Sequence, residues 1–257
     1  MNRQKRAAAI HDISCFGKCS LTVALPILSA AGIEAAVIPT AVLSTHTGGF
    51  ADFTYRDLTA DLRPIMAHWK RLELQFDAVY SGYLGSFEQV SIVRDFIGTF
   101  RSEGTLVLVD PAMADGGKLY KTFDPPFVEE MKSLCMHADL IVPNITEAAM
   151  LTGEAYREGP YDKAYIERLL HGLLLLGAKQ AVLTGVWFDE KQYGAASLTL
   201  GDHAPHYIFS PKVEGFYHGT GDVFASALLA ARMRGRSLEE SARIAVDPVS
   251  YTHLRAH

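Results

Sequence analysis

The run Thr105-Leu106-Val107-Leu108-Val109 contains no charged residue and stops abruptly at Asp110-Pro111. A strand wetted on one face alternates in polarity, so a run apolar at consecutive positions suits a strand covered on both faces. Runs of related character recur at Ala7 to Ile13, Ala35 to Pro39, Ala78 to Ser81, Leu140 to Pro143 and Gln180 to Thr184. Between them, Arg56 to Leu74, Phe87 to Phe100, Tyr161 to Leu176 and Val223 to Met233 have helical spacing. The alternation predicts an α/β fold, a mostly parallel central sheet with helices on both faces. Pro26 interrupts the apolar stretch Ser20 to Ala31, which predicts a helix that is kinked or starts late.

At 257 residues and 49% hydrophobic composition, the chain can bury one large core. No internal repeat, low-complexity segment or long linker divides it, which predicts one domain over residues 1–246. The formal charge of −5 gives no nucleic-acid footprint. Any phosphate site must therefore use local amides or a metal. The basic start is followed by too few apolar residues for a signal-peptide core, and no apolar run reaches membrane-spanning length. Three cysteines, Cys15, Cys19 and Cys135, cannot all pair and match no zinc spacing. The expectation is a reduced, cytoplasmic protein.

In an open α/β sheet, ligands bind at the carboxyl ends of the strands. Asp110 stands at one such end. Asn144 follows Leu140 to Pro143, with Glu147 three residues on. That pair reads as a helix cap or as oxygen donors for a nucleotide-bound magnesium ion, and the spacing alone does not choose. Gly219-Thr220-Gly221-Asp222 runs directly into the helical stretch Val223 to Leu229. Glycines let amides approach an anion, the helix start is electropositive, and a carboxylate stands beside them. An ordinary helix start would look the same taken singly; three such sites in one chain favour a phosphoryl-transfer centre. The P-loop pattern fails at Gly17-Lys18-Cys19-Ser20 and at Gly116-Gly117-Lys118-Leu119. The chain also lacks a protein-kinase catalytic loop, a nucleophile elbow and an H-E-x-x-H zinc site.

Taken in order, Ser44-Thr45-His46-Thr47-Gly48-Gly49-Phe50, Ser81-Gly82-Tyr83-Leu84-Gly85, Asp110-Pro111, Pro143-Asn144-Ile145-Thr146-Glu147 and Gly219-Thr220-Gly221-Asp222 resemble the pyridoxal/pyridoxamine kinases of the ribokinase-like superfamily. The resemblance runs from about residue 7 to residue 246. It implies a ribokinase-like fold and transfer of a phosphoryl group from ATP to the 5′-hydroxymethyl group of a vitamin B6 vitamer. Asp222 would be the general base, and the amides of Gly219, Thr220 and Gly221 would stabilise the transferred group. Asp110, Asn144, Glu147 and Thr184 would bind the nucleotide, with Asp110 and Glu147 toward magnesium. Thr47, Gly48 and Tyr83 would border the ring, with Asp12 and Ser14 beside them and His46 as a contact or a support. The resemblance also implies a homodimer, and it leaves open a need for a monovalent cation.

Three departures from that pattern carry expectations of their own. Asp12 stands where many pyridoxal kinases place serine, and a carboxylate there favours an aminomethyl cation, hence pyridoxamine over pyridoxal. The related hydroxymethylpyrimidine kinases usually carry cysteine at the position of Asp222, and dual-specificity relatives carry one near Phe216-Tyr217-His218. Helical spacing over Ser237 to Val246 is lost from Asp247 onward, so residues 247–257 read as an atypical, foreign tail on a truncated frame.

Overall fold

The computed structural model describes residues 3–254 apart from 213–217, with side chains as far as Asp247. Phe216, Tyr217 and the last tail residues, 255–257, lie outside the described residues. The first half of the chain forms β1 (Arg6–Ser14), α1 (Leu21–Ala30), β2 (Glu34–Leu43), β3 (Tyr55–Asp57), α2 (Thr59–Arg71), β4 (Ala78–Ser81), α3 (Phe87–Phe100) and β5 (Leu106–Val109). A small hairpin follows, β6 (Ala114–Asp115) and β7 (Lys118–Leu119), then α4 (Pro125–Cys135), β8 (Leu140–Ile141), α5 (Ile145–Thr152) and α6 (Lys163–Leu175). The last elements are β9 (Gln180–Val186), β10 (Gln192–Thr199), β11 (His206–Pro211), α7 (Thr220–Met233) and α8 (Leu238–Leu254).

Nine strands form one sheet in the order β11-β10-β9-β8-β5-β4-β1-β2-β3. Its centre, from β2 to β9, is parallel, and antiparallel strands close both edges. The continuous apolar runs are the central strands: all four residues of β4 are buried, as are Val107, Leu108 and Val109 of β5. One face is covered by α2 through α6, with Val93, Phe96, Ile97, Tyr165 and Leu169 in its core. The opposite face is covered by α1, α7 and α8 around Leu28, Phe224, Leu228 and Ala242.

Local signals set several boundaries. The Ser86 hydroxyl accepts from the Gln89 amide and starts α3 where its apolar stripe begins. Gly153, at φ 76°, ends α5 in the left-handed conformation that glycine adopts freely.

The structure corrects other expectations. Arg56 belongs to the edge strand β3, and the helix expected from it begins at Thr59. Helix α1 does not start late: it begins at Leu21 and carries Pro26 inside, with Leu21, Val23, Ala24 and Leu28 buried. The hairpin β10–β11 was not anticipated, because Gly194-Ala195-Ala196-Ser197 lacks the β-branched residues that mark a strand. Helix α8 continues through Asp247 and Pro248 to Leu254, past the point where the apolar spacing fades.

Candidate active site

Helix α7 begins in a turn that only glycine suits. Gly219 has φ 77°, and a Cβ placed on it would collide with the carbonyl oxygen of Lys18. Asp222 lies in the first turn of α7, and one of its oxygens accepts from the backbone N–H of Ser20 at 2.8 Å. Burial pushes the Asp222 carboxyl up to about 6, against the Ser20 hydrogen bond and with help from the charge of Asp12. A carboxylate of that strength, at the head of a helix, can accept a proton near neutral pH.

The carboxyl end of β1 supplies Asp12 and Ser14, both buried. Asp12 accepts from two hydroxyls, Ser20 Oγ at 2.6 Å and Ser14 Oγ at 3.0 Å. Burial raises its pKa and the two hydroxyls lower it. Both of its oxygens are thus engaged from within the protein.

Asp110 follows β5, and its amide donates to the Ser81 carbonyl across to β4. Burial raises its pKa well above the ordinary value, and the charges of Glu147 and Asp222 raise it further. Asn144 and Glu147 form a reciprocal capping box at the start of α5. Glu147 also accepts from the amides of Met113 and Ala114, at 3.0 and 3.4 Å, and the Asn144 amide donates to Ala114 O at 2.8 Å. Burial dominates the Glu147 carboxyl, which is pushed up to about 8 despite those amides. Thr184 pairs with Asn144 in a single parallel bridge, and its hydroxyl donates to Pro143 O at 3.3 Å.

Among the described residues, no three His, Cys, Asp or Glu side chains gather into a ready-made metal cage. A magnesium ion carried by a nucleotide binds through one or two carboxylates and keeps several waters. Asp110 is suited to direct contact, since charge repulsion and burial disfavour its ionised form when no cation is near. Glu147 has both oxygens engaged by backbone amides, which fix its carboxylate beside Asp110.

At the mouth of the crevice, the His46 ring lies 4.5 Å from the His218 ring and 4.9 Å from Phe50, and its Nδ1 accepts from the Gly48 amide at 3.2 Å. Burial and the nearby His218 lower its pKa. A side chain on Gly48 would strike His218, while Thr47 is exposed beside it. Tyr83 is half-buried, 5.6 Å from Phe123 between ring centres, and its hydroxyl lies 3.4 Å from Thr122 Oγ1.

The electrostatics place these carboxylates and tyrosines within reach of one another. Asp222 senses Asp12, Asp110 senses Asp222 and Glu147, and Tyr55 and Tyr83 sense Asp12. Sequence reasoning passed over three neighbours. Tyr80, buried on β4, and Tyr120, more exposed, both feel Asp110 and Asp222, but an isolated tyrosine carries no sequence pattern that separates it from a packing aromatic. Ser20 reads as an ordinary helix cap, although its hydroxyl makes no cap bond.

A glycine turn at a helix head, a tuned carboxylate in its first turn and polar strand ends converging on it define a ribokinase-like small-molecule kinase architecture. Residues 25–254 match the family described as phosphomethylpyrimidine kinase, and the chain belongs to that family. It is 38% identical to a provisionally named phosphomethylpyrimidine kinase from Bacteroides thetaiotaomicron, in an orthorhombic form with pyridoxal. That likeness has a TM-score of 0.89 and covers 97% of this chain and 86% of the other. Pyridoxal kinase from Lactobacillus plantarum is similar at 33% identity and TM-score 0.88, covering 100% and 92% of the two chains. A provisionally named pyridoxal kinase from Schizosaccharomyces pombe is 25% identical over 206 residues, 77% of this chain; the match spans 58% of that relative's length.

Proposed function

We propose that this chain transfers the γ-phosphoryl group of ATP to the 5′-hydroxymethyl group of a B6 vitamer, pyridoxamine or pyridoxal. The observation that carries this reading is the Asp222 carboxylate, fixed by the Ser20 amide in the first turn of α7 beside the glycine turn. There it takes the proton from the attacking hydroxyl, while the amides at Gly219, Thr220 and Gly221 offer donors and the positive end of a helix to the transferred group. Asp110, Asn144, Glu147 and Thr184 face the nucleotide side, and Asp12, Ser14, Thr47, Gly48 and Tyr83 the ring side. Magnesium, held by Asp110 and Glu147, would neutralise phosphate charge.

The pyridoxal-bound Bacteroides structure and the Lactobacillus pyridoxal kinase support the B6 reading. The family description supports hydroxymethylpyrimidine as the competing acceptor. Coupled ADP release with pyridoxamine, pyridoxal and hydroxymethylpyrimidine decides between them. The expected result is turnover of a B6 vitamer with the pyrimidine at least tenfold poorer in kcat/KM; the reverse order would transfer the chain to the pyrimidine kinases. A cytoplasmic homodimer belongs to the same reading and is supported by the resemblance; sedimentation tests the dimer. No helix among the described residues is long and apolar enough to cross a membrane.

The pH profile follows from Asp222. A base works only when ionised, and this one titrates near 6 against an ordinary 3.8. The rate should therefore climb as pH rises through about 6 and level off above it, tenfold per unit on the acid side. A flat profile between pH 5 and 7 would remove Asp222 from the rate-limiting proton transfer.

A further inference from the structure

The segment just before α1 carries unusual backbone. Among the described residues, the non-glycine positions with positive φ are Lys18, Ser20, Asp52 and Glu73. Two of these, Lys18 and Ser20, lie against the glycine turn of α7: the Lys18 carbonyl packs where a Gly219 Cβ would stand, and the Ser20 amide donates to Asp222. Ser20 has φ 54° and ψ −130°, a combination natural to glycine and strained for any residue with a Cβ. Such strain persists only where neighbours over-determine it.

The neighbours that do so are visible. Ser20 is the N-cap of α1, yet its hydroxyl accepts no hydrogen bond from that helix and donates instead to Asp12 at 2.6 Å. A bridge between Ser20 and Ile13 ties the same backbone to the end of β1. Asp12 is itself set by Ser14. The hydroxyl fixes the side chain, the fixed side chain holds the backbone in its strained state, and that state points the N–H at Asp222.

We propose that Asp12 and Ser20 form a clamp that aims the Asp222 carboxylate, so that Asp12 serves the reaction as a positioning residue rather than as a partner of the substrate amine. The proposal rests on Asp222 being the base. In the absence of the clamp the Ser20 peptide relaxes, its N–H leaves the carboxylate, and the base samples unproductive orientations.

The test uses steady-state ADP release on the full chain with both pyridoxal and pyridoxamine. Ser20→Ala keeps the strained Cβ and removes the clamp, so kcat should fall about tenfold to a hundredfold with KM little changed. Ser20→Gly removes the clamp and the strain together, so it should retain more kcat than Ser20→Ala. A purely structural role would lower kcat only in step with the midpoint of chemical denaturation, whereas the clamp predicts a loss of kcat in Ser20→Ala that the midpoint does not follow. Asp12→Asn should lower kcat alike for both vitamers, and should cost little more when added to Ser20→Gly.

Full kcat in Ser20→Ala, or a glycine variant no better than alanine, would overturn the clamp. So would an Asp12→Asn loss confined to the KM of pyridoxamine, which would make Asp12 a ring contact. If Ser20→Ala does not fold, the Asp12→Asn and Ser20→Gly pair decides by its non-additivity. Asp222→Asn, run in parallel, separates the two readings. Normal turnover there removes the base itself, whereas a dead Asp222→Asn beside an unaffected Ser20→Ala removes the clamp alone.

Discussion

Asp222→Asn is expected to lower kcat for a B6 vitamer by about 10² to 10⁴ while leaving the fold intact. Asparagine keeps the shape and can still accept from the Ser20 amide, so the 2.8 Å contact that seats the side chain survives. What it loses is the capacity to take a proton. It also removes a charge that burial disfavours, since the Asp222 carboxyl is raised to about 6 by the surrounding protein. Stability should therefore hold or rise slightly above pH 6, where the native carboxylate is ionised at a cost. Turnover by ADP release and the midpoint of chemical denaturation together check the result. A variant with nearly normal kcat would mean that proton removal is not what this residue contributes.

Gly219→Ala is expected to damage both activity and stability, for a reason that needs no chemistry. The residue sits at φ 77°, and its missing side chain is the space occupied by the Lys18 carbonyl. Alanine there meets a left-handed backbone and a collision at once. The turn must open, which moves the head of α7 away from the 18–20 segment that seats Asp222. A shift of about 1 Å in a reacting group costs roughly 10² in rate, and a non-glycine residue forced into such a conformation costs about 1 to 3 kcal/mol. Denaturation midpoint and kcat should fall together. Gly221 offers the contrast: a Cβ there meets nothing within 4 Å, so any loss in Gly221→Ala would come from the anion side of the turn.

The central strands were legible in the sequence because burial on both faces writes itself as consecutive apolar residues, as at Leu106 to Val109. The site was legible where a polar residue ended such a run, at Asp110 and Asn144, and where glycines marked the start of α7. The edges were not. Strands β3 and β10 contain Tyr55-Arg56-Asp57 and a small-residue stretch, and they are strands because a neighbouring strand offers them hydrogen bonds, which one-dimensional pattern cannot express. Glu147 shows a different limit. Its spacing from Asn144 fits a cap and a metal neighbour equally well, and only the structure shows its oxygens engaged by the Asn144, Met113 and Ala114 amides. Ser20 was illegible because backbone strain leaves no mark in residue type.

The hydrogen bond between the Ser20 amide and Asp222 spans 202 positions of the chain. Strand β1, a parallel strand inside the sheet between β4 and β2, precedes α7 in the chain and so is synthesised before the helix that carries Asp222. Half of the catalytic geometry must therefore wait, already paired into the sheet, for a partner that does not yet exist. Closing a loop of that size is slow and entropically opposed until the face formed by α1, α7 and α8 packs. Turnover would then report finished assembly, because a partly folded chain lacks the contact that seats Asp222 for the proposed reaction.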